Sequence, residues 1–219
     1  MLPGPMRRLT STTLLALLAL VVVAGGCAGS DATPATTSST TTSTPVVDEA
    51  LAALLLERGD LPGGFTESAQ VDDTVTTFCA AEDAAAGLRA TAREVRGFAD
   101  TSSGTSVIQL VFRFAGDGAR QFVDQAGGAL ERCDGVPDLT GLAFEYEPLG
   151  GDLNALLDRP DAAVGRHGVN VGSGSLSINV IVVQHGDVGE LIAVLGVDLP
   201  RAALDALALR SIGAALDKL

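Results

Sequence analysis

The chain of 219 residues contains no tryptophan, a single tyrosine and only two histidines. Glycoside hydrolysis requires two carboxylates across a cleft that holds a sugar, and a chain so poor in aromatic rings offers little surface for sugar stacking. The two histidines, His167 and His185, do not have the spacing of an HxH, HxxxH or HExxH metal site. We therefore interpret both as surface or hydrogen-bonded structural residues, and the sequence indicates no metal and no cofactor.

Positive charge is also scarce. The chain has 14 Lys and Arg residues against 27 Asp and Glu residues, and Lys218 is its only lysine. A protein that binds nucleic acid neutralises phosphates with a basic stripe, and the sequence has none. We therefore exclude a nucleic-acid partner, and we interpret the acidity as the charge of a soluble surface.

Motifs for nucleophilic or metal catalysis are absent from the sequence. Gly172 to Ser175 read Gly-Ser-Gly-Ser, which is neither a G-x-S-x-G nucleophile elbow nor a phosphate loop, and we expect a loop that enters a strand. EF-hand spacing is also absent. Three acidic pairs could supply a carboxylate dyad: Asp72 with Asp73, Glu82 with Asp83, and Glu145 with Glu147. Neighbouring or alternating acidic residues are usually solvated, however. The sequence therefore predicts a protein that is not an enzyme.

The N-terminus has the pattern of an export signal. Arg7 and Arg8 precede an apolar run at residues 14–24, and Gly25 and Gly26 follow it. The run has roughly 11 residues, whereas a helix needs about 20 to cross the bilayer core. An ordinary signal peptidase could also cleave after these small residues, so the class of signal depends on Cys27.

Cys27 directly follows the two glycines, and this segment resembles the lipobox of bacterial lipoproteins. The resemblance implies that residues 1–26 are a signal peptide and that the Cys27 thiol carries diacylglycerol. Several acyl chains make membrane attachment stable, where one chain gives only marginal binding. We expect a protein anchored by lipid on the extracytoplasmic face of the cell membrane.

Residues 27–46 are predicted to form a tether. After Cys27 this segment consists almost entirely of Ser, Thr, Ala, Gly and Pro, with an unbroken Ser/Thr run at residues 36–44. Such a composition cannot bury a core and is typical of flexible or O-glycosylated stalks.

Cys79 and Cys133 remain after lipidation of Cys27. An even number of cysteines in an exported protein favours one disulfide, although two free thiols or a redox-active pair are the alternatives. Their separation does not fit a CxxC redox motif. A disulfide closing a loop of roughly 55 residues would stabilise the fold by about 4 kcal/mol in the chain-entropy model.

Residues 47–219 are long enough for one domain with a sizeable core. Apolar periodicity predicts an α+β fold, an antiparallel-rich sheet covered by helices. We expect one face of the first hairpin to be in the core, Asp48, Asp117 and Asp198 to cap helices, and one further strand of uncertain position before residue 176. The predicted helices span 48–59, 118–132 and 200–217, and the predicted strands span 89–98, 105–115, 142–148, 176–184 and 190–198.

The domain sequence resembles a group of actinobacterial lipoproteins related to the extracellular sensor domain of mycobacterial Ser/Thr receptor kinases. The resemblance depends on the segment Leu54 to Pro62, on Cys79 followed by a hairpin, on a helix ending at Cys133 and on the late pair of Val-rich strands. It implies a non-enzymatic ligand-binding or sensing domain. From the anchor, the tether and the lack of catalytic motifs, we expect its ligand to be a small or lipidic envelope molecule or a protein partner. The alternative is a structural or assembly lipoprotein that scaffolds another envelope protein and needs no cleft.

Overall fold

A computed structural model describes the residues 48–68, 87–132, 145–149, 151–171 and 173–219. Cys27, Cys79 and Cys133 lie outside the described residues, so the predicted lipidation and disulfide stay predictions. The tether, the pairs Asp72-Asp73 and Glu82-Asp83, and residues 142–144 of the predicted strand also lie outside them.

The described elements follow the order expected for a layered α+β domain, with four helices and seven strands: α1 (Glu49–Ala52), β1 (Thr66–Glu67), β2 (Ala92–Asp100), β3 (Thr105–Arg113), α2 (Gly118–Arg132), β4 (Glu145–Tyr146), α3 (Gly151–Asn154), β5 (Ala162–Val171), β6 (Gly174–His185), β7 (Val188–Val197) and α4 (Arg201–Leu216). Short 3-10 helices occur at Arg58–Asp60 and Ala155–Asp158. The strands form one open sheet in the order β1-β2-β3-β7-β6-β5-β4, and neighbouring strands are antiparallel. The predicted fold class is confirmed.

Helices cover both faces of this sheet. On one face α2 packs through an aromatic cluster, in which the Phe122 ring centroid lies 5.3 Å from that of Phe112 and 5.4 Å from that of Phe114. On the other face α4 packs through Leu204, Leu207 and Ile212, as the periodicity predicted. Because β6 and β7 lie between the two helical layers, they are apolar on both faces, which is why their sequences read as central strands.

The β2–β3 hairpin differs from the prediction that only one of its faces is buried. Six consecutive residues of β3, Val107 to Phe112, are buried, including the polar Gln109. The α2 layer covers Ile108 and Leu110, whereas residues 48–61 cover the opposite face. A strand can therefore carry a polar residue on a buried face when that residue finds hydrogen-bond partners there.

The first helix begins as predicted and ends early. The Asp48 carboxylate caps it by accepting the backbone N–H groups of Ala50 and Leu51, each at 3.1 Å. The helix ends at Ala52, not at Gly59, because the Gln109 side chain binds the Leu54 carbonyl and the Leu56 N–H. Tertiary hydrogen bonds replace helical ones there.

Asp198 does not cap α4, contrary to the prediction. Its backbone is in the left-handed region at φ 52°, and its carboxylate accepts the Ser175 N–H at 2.7 Å. Pro200 occupies the N-cap position without a side-chain cap bond. Across the described residues, no helix is long and apolar enough to span a membrane.

Candidate functional site

A groove of about 240 Å³ lies at the end of the sheet formed by β4, β5 and β6. The pairing register sets Gly168 opposite Ser177 and Asn170 opposite Ser175, all on the α4 side of the sheet. The small residues at these positions of β5 and β6 leave the groove open, where larger side chains would fill it. The residues that line the groove are Glu145, Glu147, Gly168, Val169, Asn170, Ser175, Leu176 and Ser177.

Glu147 forms one wall of the groove and is held by three neighbours. Its backbone N–H donates to the Arg166 carbonyl at 2.9 Å, which extends the pairing of β4 with β5 by one residue. Its carboxylate Oε2 lies 3.3 Å from Nη2 of Arg201, the first residue of α4. Gly168 lies beneath the carboxylate. With only 22% of its side chain exposed, Glu147 is not simply solvated, and the sequence interpretation is wrong for this residue.

Beside the groove lies a buried polar cluster around Arg166, a side chain that is only 1% exposed. Arg166 Nε donates to Asn179 Oδ1 at 2.8 Å, and Nη1 donates to the Pro148 carbonyl at 3.1 Å. Its Nη2 pairs with the Asp205 carboxylate of α4, which also accepts from Asn179 Nδ2 at 3.1 Å. Burial lowers the pKa of Arg166 from its ordinary value, and the charge of Glu147 opposes that shift. The cluster joins the segment after β4 to β5, β6 and α4 beside the groove.

The groove therefore presents acceptors more than donors. The Arg166 guanidinium is committed to bonds within the protein, while the carboxylates of Glu145 and Glu147 and the hydroxyls of Ser175 and Ser177 line the opening. Such a lining complements ligands that carry N–H or O–H donors.

The two histidines lie apart. His167 is fully buried in β5, with its Nε2 3.1 Å from the Leu130 carbonyl and its ring edge-on to Tyr146 at 5.7 Å. Its interpretation as a hydrogen-bonded structural residue is confirmed. His185 is exposed where β6 turns into β7. Within the described ranges, no three acidic, histidine or cysteine side chains are grouped to hold a metal ion.

Sequence reasoning missed Arg166, Asn179 and Asp205. The sequence did contain a signal for two of them. Residues two apart on a strand share a face, so Arg166 lies on the same buried face of β5 as Val164, and Asn179 on the same buried face of β6 as Ile181. A charged residue in a core-facing position needs a partner. Asp205, on a distant helix, could be identified only from the folded chain.

The chain is similar in fold to the extracellular domain of PknH from Mycobacterium tuberculosis. The match has a TM-score of 0.54 at 17% sequence identity and covers 80% of this chain and 98% of that domain. A mutant of the protein Mog1 matches with a TM-score of 0.33 at 12% identity, over 72% of this chain and 80% of that one. No protein-family model and no curated protein sequence matches the chain.

The PknH match confirms, at the level of fold, the resemblance to a mycobacterial receptor-kinase sensor domain that the sequence indicated.

Proposed function

We propose that this chain is a lipid-anchored, extracytoplasmic, non-catalytic domain that binds a small polar ligand and acts as a sensor-like module. The groove between β4, β5 and β6 carries the proposal, because it offers a concave polar site on a fold shared with the extracellular domain of PknH. At about 240 Å³ the groove lies just below the volume range of typical small-molecule sites, which favours a small ligand over a protein segment.

The chemistry of the groove narrows the ligand class. A lipid chain needs a continuous apolar lining, whereas here only Val169 and Leu176 are apolar among the lining residues, and their side chains pack against the α2-side core. The carboxylates of Glu145 and Glu147 favour an ammonium or guanidinium group, and the serine hydroxyls and the Asn170 amide suit further donors and acceptors. We therefore propose a small amine-bearing or hydroxyl-bearing molecule.

The anchor assignment rests on the N-terminal sequence. The basic pair Arg7-Arg8, the short apolar run and Cys27 support export and lipidation, and the Ser/Thr-rich segment supports a tether between lipid and domain.

Native mass spectrometry of the full chain, extracted from its own membrane, tests the ligand proposal. We expect an added mass that is lost on denaturation. We expect Glu147→Gln to reduce occupancy about tenfold or more, because a charge-assisted hydrogen bond is lost. Glu131→Gln, at an exposed position on α2, is the matched control and should retain the ligand. A chain that carries no added mass in any preparation would instead favour the scaffold alternative.

Fatty-acid labelling tests the anchor. Cys27→Ser should abolish incorporation of a labelled acyl chain, while Cys79→Ser should retain it. Label retained on the Cys27→Ser chain would contradict the lipoprotein assignment.

A further inference from the structure

The first described segment of the domain, residues 48–61, lies over the sheet on the α4 side, and we refer to it as the N-terminal strap. Its leucines pack onto the sheet: Leu51 and Leu55 lie with Val111 and Val188, and Leu56 joins the core beneath α4.

Polar side chains from several elements also hold the strap. Arg113 of β3 pairs with the Asp48 carboxylate at 3.3 Å, and Arg96 of β2 donates to the Leu56 carbonyl at 3.1 Å. Lys218, just after α4, donates to the Leu55 carbonyl at 3.0 Å and lies 3.0 Å from the Asp60 carboxylate.

Beneath the strap, two fully enclosed polar side chains meet. Gln109 of β3 is 0% exposed and Glu190 of β7 is 2% exposed. Gln109 Nε2 donates to Glu190 Oε1 at 2.7 Å and to the Leu54 carbonyl at 3.2 Å, while its Oε1 accepts the Leu56 N–H. One amide therefore connects the buried carboxyl to the backbone of the strap.

The surroundings of Glu190 are apolar. Its neighbours across the strands are Val111 on β3 and Val183 on β6. The charged or titratable groups nearest to it on the surrounding elements bond elsewhere or lie at the rim: Asp48 and Asp60 on the strap, Glu94 and Arg96 on β2, Arg113 on β3, His185 and Asp187 at the β6–β7 turn, and Arg210 and Lys218 on or after α4. The other charged residues of the strap, Glu49, Glu57 and Arg58, are exposed. Burial raises the pKa of Glu190 to about 7, and the Gln109 bond opposes that shift.

We propose that Glu190 and Gln109 form a proton-controlled latch that holds the N-terminal strap on the sheet. A neutral Glu190 accepts the Gln109 N–H without placing a charge in the apolar layer. When the carboxyl loses its proton, the charge is buried with a single described hydrogen bond, and opening of the strap admits water to it. The strap therefore opens more often as the pH rises.

The direction follows from proton linkage. In the open state Glu190 is solvated and ionises near its ordinary value of 4.5, whereas in the closed state its pKa is about 7. Between these two values the closed state binds more protons, so the opening equilibrium constant rises with pH, by at most tenfold per pH unit in the middle of this range, and levels off above pH 7. The ion pairs of Asp48 with Arg113 and of Asp60 with Lys218 are lost only at lower pH, because hydrogen bonds hold the pKa values of both carboxyl groups below 3.8.

The latch does not depend on the ligand groove, and its test involves no ligand. Because the strap begins two residues after the predicted tether ends, a latch at this point would make the segment that joins the tether to the domain respond to external pH, a role that rests on the proposed function. The latch itself concerns only residues 48–61 and the sheet beneath them.

Hydrogen–deuterium exchange of the Leu56 amide in the full chain in mild detergent tests the latch. Protection, corrected for the intrinsic chemical exchange rate, should fall about fortyfold from pH 5 to pH 7 and only about twofold further from pH 7 to pH 8. The Glu190→Gln chain should show protection at Leu56 that is independent of pH. The His185→Asn chain is the control for the titratable group on the same face and should keep the wild-type profile.

Three results would overturn the latch: wild-type protection that is flat with pH, an unchanged profile in Glu190→Gln, or equal protection at Leu56 and at the central-strand amide of Ile181. The last result would mean that the strap opens only when the whole domain unfolds. If Glu190→Gln does not fold, the side-chain carboxyl resonance of Glu190 is titrated in the wild-type chain. A midpoint near 4.5 would overturn the latch, and a midpoint near 7 would support it.

Discussion

Gly168 lies directly beneath the carboxylate of Glu147: a Cβ atom on residue 168 would come within 2.3 Å of Glu147 Oε1. Gly168 belongs to β5, and Glu147 follows β4, the neighbouring strand. The missing side chain at residue 168 lets the carboxylate lie across β5 towards Arg201. The shape of the groove wall thus depends on a glycine that no sequence motif singles out.

Gly168→Ala tests this relationship. The new methyl group should displace the Glu147 side chain and lower the unfolding free energy by about 1 kcal/mol. This loss is at the low end of those caused by overpacking, because only the end of a flexible side chain must move. In a Glu147→Ala background the same substitution should cost nothing. Urea unfolding of the four chains measures the coupling. An equal cost in both backgrounds would contradict a contact between residues 147 and 168.

Asp205→Asn should destabilise the domain by about 3 kcal/mol, because it removes the carboxylate that pairs directly with the buried Arg166 guanidinium. The Asp205 side chain is 15% exposed and Arg166 1%, so water cannot readily replace the lost partner. The control is Asp124→Asn, which removes the exposed ion pair with Arg120 and should cost no more than about 0.5 kcal/mol. Denaturant unfolding measures the loss of unfolding free energy in both variants. An equally small loss in both would show that other groups compensate the charge of Arg166.

Acid should destabilise the strap through Asp60. The Glu57 backbone N–H and, more weakly, Lys218 hold the pKa of Asp60 below its ordinary value of 3.8. Because the folded state favours the charged form, this contribution to the unfolding free energy is present above pH 3.8 and is lost as the pH falls below it. Asp60→Asn should lower the melting temperature at pH 6, and the difference from wild type should shrink towards pH 2. A difference that is constant with pH would exclude this titration.

The predicted disulfide between Cys79 and Cys133 is tested by stability in two redox conditions. Cys79→Ser or Cys133→Ser should lower the unfolding free energy by about 4 kcal/mol, because the unfolded chain regains the entropy that the closed loop had removed. Neither substitution should affect membrane attachment. The wild-type chain should melt at a lower temperature in reducing buffer than in oxidising buffer, and both variants should melt at the same temperature in the two buffers. An equal melting temperature of the wild type in both buffers would count against the bridge.

Local periodicity predicted much of the fold. The limits of α2, Gly118 and Arg132, agree with the prediction, and β6 and β7 occur within three residues of their predicted limits. The predictions were wrong where distant groups compete with local ones. Gln109 takes the backbone groups that would have continued α1 past Ala52, and Ser175 takes the carboxylate of Asp198 that would have capped α4.

The sequence by itself determined the class of fold and the central place of β6 and β7, because apolar periodicity depends only on neighbouring residues. It also carries the signal, tether and cysteine pattern on which the anchor and disulfide predictions rest. Only the tertiary structure decided the groove, the Arg166 cluster and the enclosure of Glu190, because each depends on strand register and helix placement between residues far apart in the chain. Burial shifts the pKa values of Arg166 and Glu190, and burial is a property of the folded chain.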